Sequence, residues 1–258
     1  MLASVWAAAI ICILPARAAE EVIELPTRQG VMQPYLLSFE PDQKYATIAL
    51  LFSGGEGTVG LRDRIPTPGS NFLVRSRSLF LKRGTATAVV DTPSDNSSGM
   101  PDSFRSGKDH AADIAAVIDD VKKRFPGAKI YLVGTSRGTI SAGYAGAALS
   151  DRIDGVVLTS SLFTASKAGP GLSRFDFGSL KKPVLIVHHR QDGCRLTPYF
   201  EAQRLGNRFP LLSVSGGDAP TSGPCDPFSY HGYLGREEPV VEAISAWISG
   251  KSIPSDIQ

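Results

Sequence analysis

The sequence predicts a doubly wound α/β fold, a mostly parallel sheet flanked by helices. Three observations predict it. Short apolar runs of strand length alternate with longer amphipathic stretches along nearly the whole chain. Clusters rich in Gly, Pro and Asp punctuate most of the transitions between them. No linker, repeat or low-complexity run interrupts the alternation, so residues 19–258 read as one domain.

The elements follow in order. Tyr35 to Phe39 reads as an early strand closed by Pro41 and Asp42. Ala46 to Phe52 is a continuous apolar strand that runs into Ser53-Gly54-Gly55-Glu56-Gly57. Asn71 is placed to cap a single helix reaching Lys82, with Gly84 ending it. Thr85 to Val90 is a buried strand, and Asp91 to Pro101 a turn-rich loop. In Lys108 to Phe125 the residues Ile114, Val117, Ile118, Val121 and Phe125 recur at helical steps until Pro126-Gly127 stops them. Strands at Lys129–Val133, Gly155–Thr159, Pro183–His188 and Leu211–Val214 then alternate with helices at Arg137–Leu149, Pro198–Leu205 and Glu237–Ile248. Only Ser160 to Lys182 lacks a clear element, too short a stretch for a large helical lid, so little or no lid is expected.

The chain opens on a targeting pattern. Met1 to Ile13 is apolar apart from Ser4, and Pro15 and Ala16-Arg17-Ala18 follow, a small-x-small site for signal peptidase. Residues 1–18 are therefore expected to be a signal peptide and the protein to be exported, periplasmic or secreted, although no Lys or Arg precedes the apolar run. The run falls short of the roughly 20 apolar residues that span a bilayer, so no membrane anchor is expected. Ile11 before Cys12 argues against lipoprotein processing. Removal of Cys12 leaves Cys194 and Cys225, an even pair that in an exported protein favours a disulfide over two free buried thiols. The 27 Lys and Arg against 25 Asp and Glu are scattered, which speaks against a nucleic-acid or membrane-binding surface.

The chemistry begins at Gly134-Thr135-Ser136-Arg137-Gly138, directly after the strand Ile130-Tyr131-Leu132-Val133 and at the start of a helix rich in Ala and Gly. This is G-x-S-x-G in its strand–turn–helix setting, where a strained turn lifts the serine hydroxyl above the sheet edge and the glycines give the adjoining backbones room. With this motif the chain resembles the α/β-hydrolase superfamily over nearly all of residues 19–258. The resemblance implies a Ser–acid–His order along the chain. It places the acid at Asp192, in the loop after the strand ending at His188, with Asp218 and Asp226 as later competitors. It places the base at His231, between the last strand and the final helix. His110 is expected to be a solvated or capping residue, and His188 and His189 to be structural or to line the site. A Cys194–Cys225 bridge would tie the acid loop to the base loop.

The same resemblance implies an oxyanion hole from the N–H of Arg137 and an N–H of the Ser53–Gly57 loop, with Gly55 the first choice and Gly54 or Glu56 one step away. The Arg137 side chain departs from the smaller residue common at that position, and is expected to shape the pocket or meet an anionic substrate group. The implied reaction is serine-based cleavage of a carboxylic ester or related acyl bond through an acyl-enzyme, with a small-molecule acyl substrate. Acyl transfer or peptide cleavage by the same triad is the alternative, and a non-catalytic binding protein on this fold the third reading. No dinucleotide fingerprint and no metal-ligand spacing occurs, so neither cofactor nor metal is implied.

Overall fold

The computed structural model describes residues 18–62, 65–66 and 71–258. The expected signal peptide thus lies, apart from Ala18, outside the described residues. Strands β1 (Ala19–Arg28) and β2 (Val31–Phe39) form an antiparallel edge hairpin. The sequence reading finds only the second half of β2 and misses β1. Glu20, Glu21 and Glu24 dilute the apolar pattern of β1, whose Ile23 and Leu25 rest against the core from one side only.

Then come β3 (Thr47–Phe52), α1 (Phe72–Arg75), α2 (Arg77–Lys82) and β4 (Ala86–Val90). The Asn71 side chain accepts from Leu73 N at 3.3 Å and caps α1 as expected. The single helix expected to Lys82 is nevertheless broken at Ser76. Arg75 is drawn to Glu237 and to the carbonyls of Pro227 and Gly232, while Arg77 is drawn to Glu20 and the carbonyl of Pro66. These tertiary contacts override local helix continuity.

The remainder alternates: α3 (Asp102–Arg105), α4 (Lys108–Arg124), β5 (Lys129–Thr135), α5 (Gly138–Ala148), β6 (Gly155–Thr159), β7 (Val184–His189), α6 (Tyr199–Gly206), β8 (Leu211–Val214), α7 (Glu237–Ile248) and β9 (Asp256–Ile257). The nine strands form one open sheet in the order β1-β2-β4-β3-β5-β6-β7-β8-β9, parallel from β4 to β9. Side-chain alternation sorts each strand between two cores. Ile48, Leu50 and Phe52 of β3 join Ile114, Val117, Ile118 and Val121 of α4, while Ala49 and Leu51 join Phe72 and Leu73 of α1 and Val240 and Ile244 of α7. Full burial of the four α4 side chains contributes about 1.5–3 kcal/mol each. It fixes the α4 face against the strands that carry the site.

The segment from Ser160 to Lys182 holds only a short 3₁₀ turn at Phe177–Ser179. Its Leu162, Leu172, Phe175 and Leu180 are buried in the core beside α5. Those side chains complete the core, and the segment builds no helical lid.

Candidate active site

Ser136 stands between β5 and α5 with φ +53°, in the left-handed region that L-residues avoid. Two glycines make that turn possible. A Cβ on Gly134 would lie 2.5 Å from the Gly138 carbonyl oxygen, and one on Gly138 would lie 2.1 Å from the Phe52 carbonyl oxygen. The turn is held by Ser136 N donating to Thr159 O at 3.1 Å, and by the Thr139 hydroxyl donating to Ser136 O at 2.6 Å. Ser136 therefore sits at the N-terminus of an eleven-residue helix, where partial positive charge favours an anion.

Asp192 follows β7, and its buried carboxylate meets His231 from the loop before α7. His231 Nδ1 lies 2.9 Å from Asp192 Oδ2. A carboxylate only accepts, so this bond holds the proton on Nδ1 and leaves Nε2 as the basic nitrogen. Asp192 also accepts from the Thr197 hydroxyl at 2.9 Å and from Cys194 N at 2.9 Å. The His231 backbone is fixed in turn: Ser160 Oγ donates to its carbonyl at 2.8 Å, and the Tyr233 hydroxyl donates to Val187 O at 2.9 Å. His231 Nε2 is buried without a hydrogen-bond partner among the described residues. Ser136 and His231 line one cavity of about 290 Å³ together with Gly54, Gly55, Asn71 and Phe72.

Cys194 and Cys225 are joined by a disulfide. Cys194 is the residue whose N–H holds Asp192, and Cys225 belongs to the wall of the cavity beside His231. Neither competing acid reaches the histidine: Asp226 accepts from Gly223 N at 3.0 Å, and Asp218 has no contact with His231.

Two side chains, Arg137 and His110, behave differently from the sequence reading, while His188 is structural as expected. Arg137 does not extend into the cavity as a free cation: it pairs with Asp102 at 2.9 Å and Glu56 at 2.9 Å. His110 is no solvated cap. It is fully buried between Phe52 and Phe104, neither ring nitrogen has a partner among the described residues, and burial pushes its pKa down to about 3. His188 is buried beside the acid, its Nε2 3.6 Å from Asp192 Oδ2, and donates to Thr197 O at 2.8 Å. Burial pushes it down to about 4. His189 stacks on Tyr230 with ring centroids 4.7 Å apart, a structural placement as expected. The sequence reading missed Thr197, Ser160 and Tyr233, because a polar residue with a distant partner leaves no local pattern. Among the described residues, no cluster of three or more His, Cys, Asp or Glu could hold a metal ion.

In the Gly-rich loop the carbonyls of residues 54 to 57 are all occupied from within the protein. Gly54 O accepts from Gly57 N at 3.1 Å, Glu56 O from Met100 N at 2.9 Å, and Gly57 O from the Ser53 hydroxyl at 3.2 Å. Gly55 O accepts from Arg105 at 3.1 Å. The N–H groups of Gly55 and Glu56 donate to no described residue. Gly54 abuts the serine, since a Cβ there would stand 2.9 Å from Ser136 Cβ.

An open, largely parallel sheet with a left-handed serine turn after its fifth strand defines an α/β-hydrolase. The serine aminopeptidase family S33 matches residues 82–212, just over half of the 258-residue chain, and the chain belongs to that family. No curated protein matches the chain. Among solved structures it is similar to Est1E from Butyrivibrio proteoclasticus, with TM-score 0.61 and 18% identity over 89% of this chain and 98% of that one. It is similar to a dienelactone hydrolase from Anabaena variabilis, with TM-score 0.62 and 15% identity over 91% and 98% of the two chains. A serine hydrolase without lid from Xanthomonas campestris gives TM-score 0.59 and 16% identity over 93% and 97%.

Proposed function

We propose that this protein is a serine hydrolase that cleaves carboxylic esters of modest size, with Ser136 as nucleophile, His231 as base and Asp192 as its orienting acid. The observation that carries the reading is one imidazole, on a residue that lines the same cavity as Ser136, tied by Nδ1 to a buried carboxylate. In the reaction His231 Nε2 takes the Ser136 proton as Oγ attacks the acyl carbon. The negative charge that develops on the carbonyl oxygen is met by the N–H of Arg137 at the start of α5 and by that of Gly55 or, one step on, Glu56. Collapse passes the proton from His231 to the leaving alkoxide, and water activated by the same nitrogen then frees the acid.

The cavity of about 290 Å³ lies at the small end of ligand sites and supports a compact substrate. Among similar folds, Est1E has been solved with ferulic acid, a small aromatic acid, bound to it. Peptide cleavage is the second reading, favoured by the serine aminopeptidase description of the family. Export is supported by the disulfide, which persists in oxidising compartments, and among the described residues no helix is long and apolar enough to cross a membrane.

The test is fluorophosphonate labelling of purified protein beside Ser136→Ala, with p-nitrophenyl esters of increasing chain length and aminoacyl p-nitroanilides. Labelling and ester turnover lost in the variant, with rates falling beyond short acyl chains, are expected. Turnover of the anilides alone would transfer the protein to the peptidase reading. An unlabelled, folded wild type would end the hydrolase reading.

A further inference from the structure

We propose that Arg105 is a positioning residue for the oxyanion hole: its buried guanidinium fixes the direction in which the Gly55–Glu56 peptide points. The inference rests on Ser136 being the nucleophile. Arg105 closes α3 and is 1% exposed, the largest of the fully buried side chains. Its guanidinium is spread over three acceptors from three parts of the chain. Nε donates to Met100 O at 3.2 Å, Nη1 to the Ser141 hydroxyl at 3.1 Å and Nη2 to Gly55 O at 3.1 Å. The loop lies directly on it, since a Cβ on Gly57 would be 2.5 Å from Nη2.

The nearby carboxylates Asp102 and Glu56 are engaged by Arg137, and no ion pair to Arg105 forms among the described residues. Burial pulls the Arg105 guanidinium below its ordinary pKa, and repulsion from Arg137 adds to that effect. A buried cation without an ion-pair partner is costly relative to an apolar side chain of similar volume. Its hydrogen bond to the candidate site goes to the Gly55 carbonyl. A peptide is planar and trans, so a carbonyl drawn toward Arg105 sends the Glu56 N–H the opposite way. With Gly54 O already bonded to Gly57 N, the turn through Gly55 at φ +58° is locked, and the N–H groups of Gly55 and Glu56 are left free to donate. Arg137 Nη1 donates to the same Gly55 carbonyl at 3.4 Å, so Arg105 is the shorter and more buried of two anchors, and a glycine turn without them can rotate its peptide at little steric cost. A carbonyl presented to a developing oxyanion would repel it. Ser141, on α5 just beyond the Ser136 turn, links this anchor to the helix that carries the other donor.

The experiment compares Arg105→Lys and Ser141→Ala with wild type in ester turnover and in inhibition by a trifluoromethyl ketone, which forms a tetrahedral oxyanion. A lysine ammonium cannot reproduce the three-way fork. Misplacing an oxyanion donor by an ångström costs on the order of 100-fold. Arg105→Lys should lose about 10- to 100-fold in kcat with KM within twofold, and the ketone's Ki should rise by the same factor as kcat/KM falls. Ser141→Ala removes one anchor in a helix that tolerates alanine, and should lose about 3- to 10-fold in kcat. If Arg105→Lys does not fold, Ser141→Ala decides alone. Folded variants with kcat within twofold of wild type, or with KM raised and kcat unchanged, would overturn the proposal. A wild type that neither labels nor turns over would instead remove the hydrolase reading, and this proposal with it.

Discussion

The strained conformation of Ser136 costs about 1–3 kcal/mol, and it persists because the surrounding backbones leave the turn no other path. Gly138 shows how tight that path is. The atoms a Cβ would strike are the carbonyls of Phe52 and Ser53, at 2.1 and 2.7 Å. Those are backbone atoms at the end of a central strand, so they cannot swing aside as a side chain would. Gly138→Ala should therefore cost 3 kcal/mol or more, at the upper end of overpacking effects, with about that loss visible in a urea titration. A variant within 0.5 kcal/mol of wild type would mean that β3 and α5 can separate more freely than their contact implies. At this scale the sequence is readable where chemistry imposes spacing. The glycines two positions either side of Ser136, and the order Ser136, Asp192, His231, stand in the sequence as a pattern. Thr197, Ser160 and Arg105 do not, because each works through a partner at least five, and mostly many tens, of residues away.

Among the elements, those buried on both faces were legible and those half-supported by neighbours were not. β3, β5 and β7 are continuous apolar runs, and β6 matches the sequence reading to the residue. β1 is an edge strand whose identity comes from its register with β2, and α1 and α2 part at Ser76 because two arginines pull apart. The loops that carry Asp192 and His231 are a different case: no periodicity describes them, yet two cysteines declare that they meet. The disulfide closes a loop with a sequence separation of 31. In the chain-entropy account such a loop stabilises by about 3–4 kcal/mol. It also anchors the N–H of Cys194 that holds Asp192. Cys194→Ser/Cys225→Ser should thus lose about 3 kcal/mol in denaturant titration and several-fold in kcat. Dithiothreitol should shift the wild type in the same direction, aided by the exposure of Cys225. Loss of stability with kcat untouched would show that Asp192 is held adequately by Thr197 and His231 alone.

For the whole molecule the most telling feature is a pair of neutral, fully buried histidines, one on α4 and one on β7. His110 and His188 are both fully buried, and burial is the first cause of their lowered pKa values, about 3 and about 4. For His110 the cations Arg105 and Arg28 add to burial, and for His188 the Asp192 carboxylate opposes it. An unfolded histidine titrates near 6.5. Between these folded values and 6.5 the unfolded chain binds protons that the folded chain refuses, so stability rises with pH through that window and is flat above it. At pH 4.5 the unfolded histidines are protonated while the folded ones remain largely neutral, a loss on the order of 2–3 kcal/mol apiece, or roughly 5 kcal/mol together. That is comparable to the whole stability of many domains, so the protein should approach unfolding near pH 4.5 while remaining stable at pH 7. His110→Leu separates this effect from general acid titration. Both ring nitrogens of His110 lack partners among the described residues, so an apolar side chain of similar size removes a polar burial cost and deletes no hydrogen bond. Urea titrations at pH 7 and pH 4.5 should show the wild type losing about 3 kcal/mol more than the variant between the two. Equal losses would mean that the His110 ring finds a proton and a partner in the folded state, which the apolar walls of Phe52 and Phe104 do not offer.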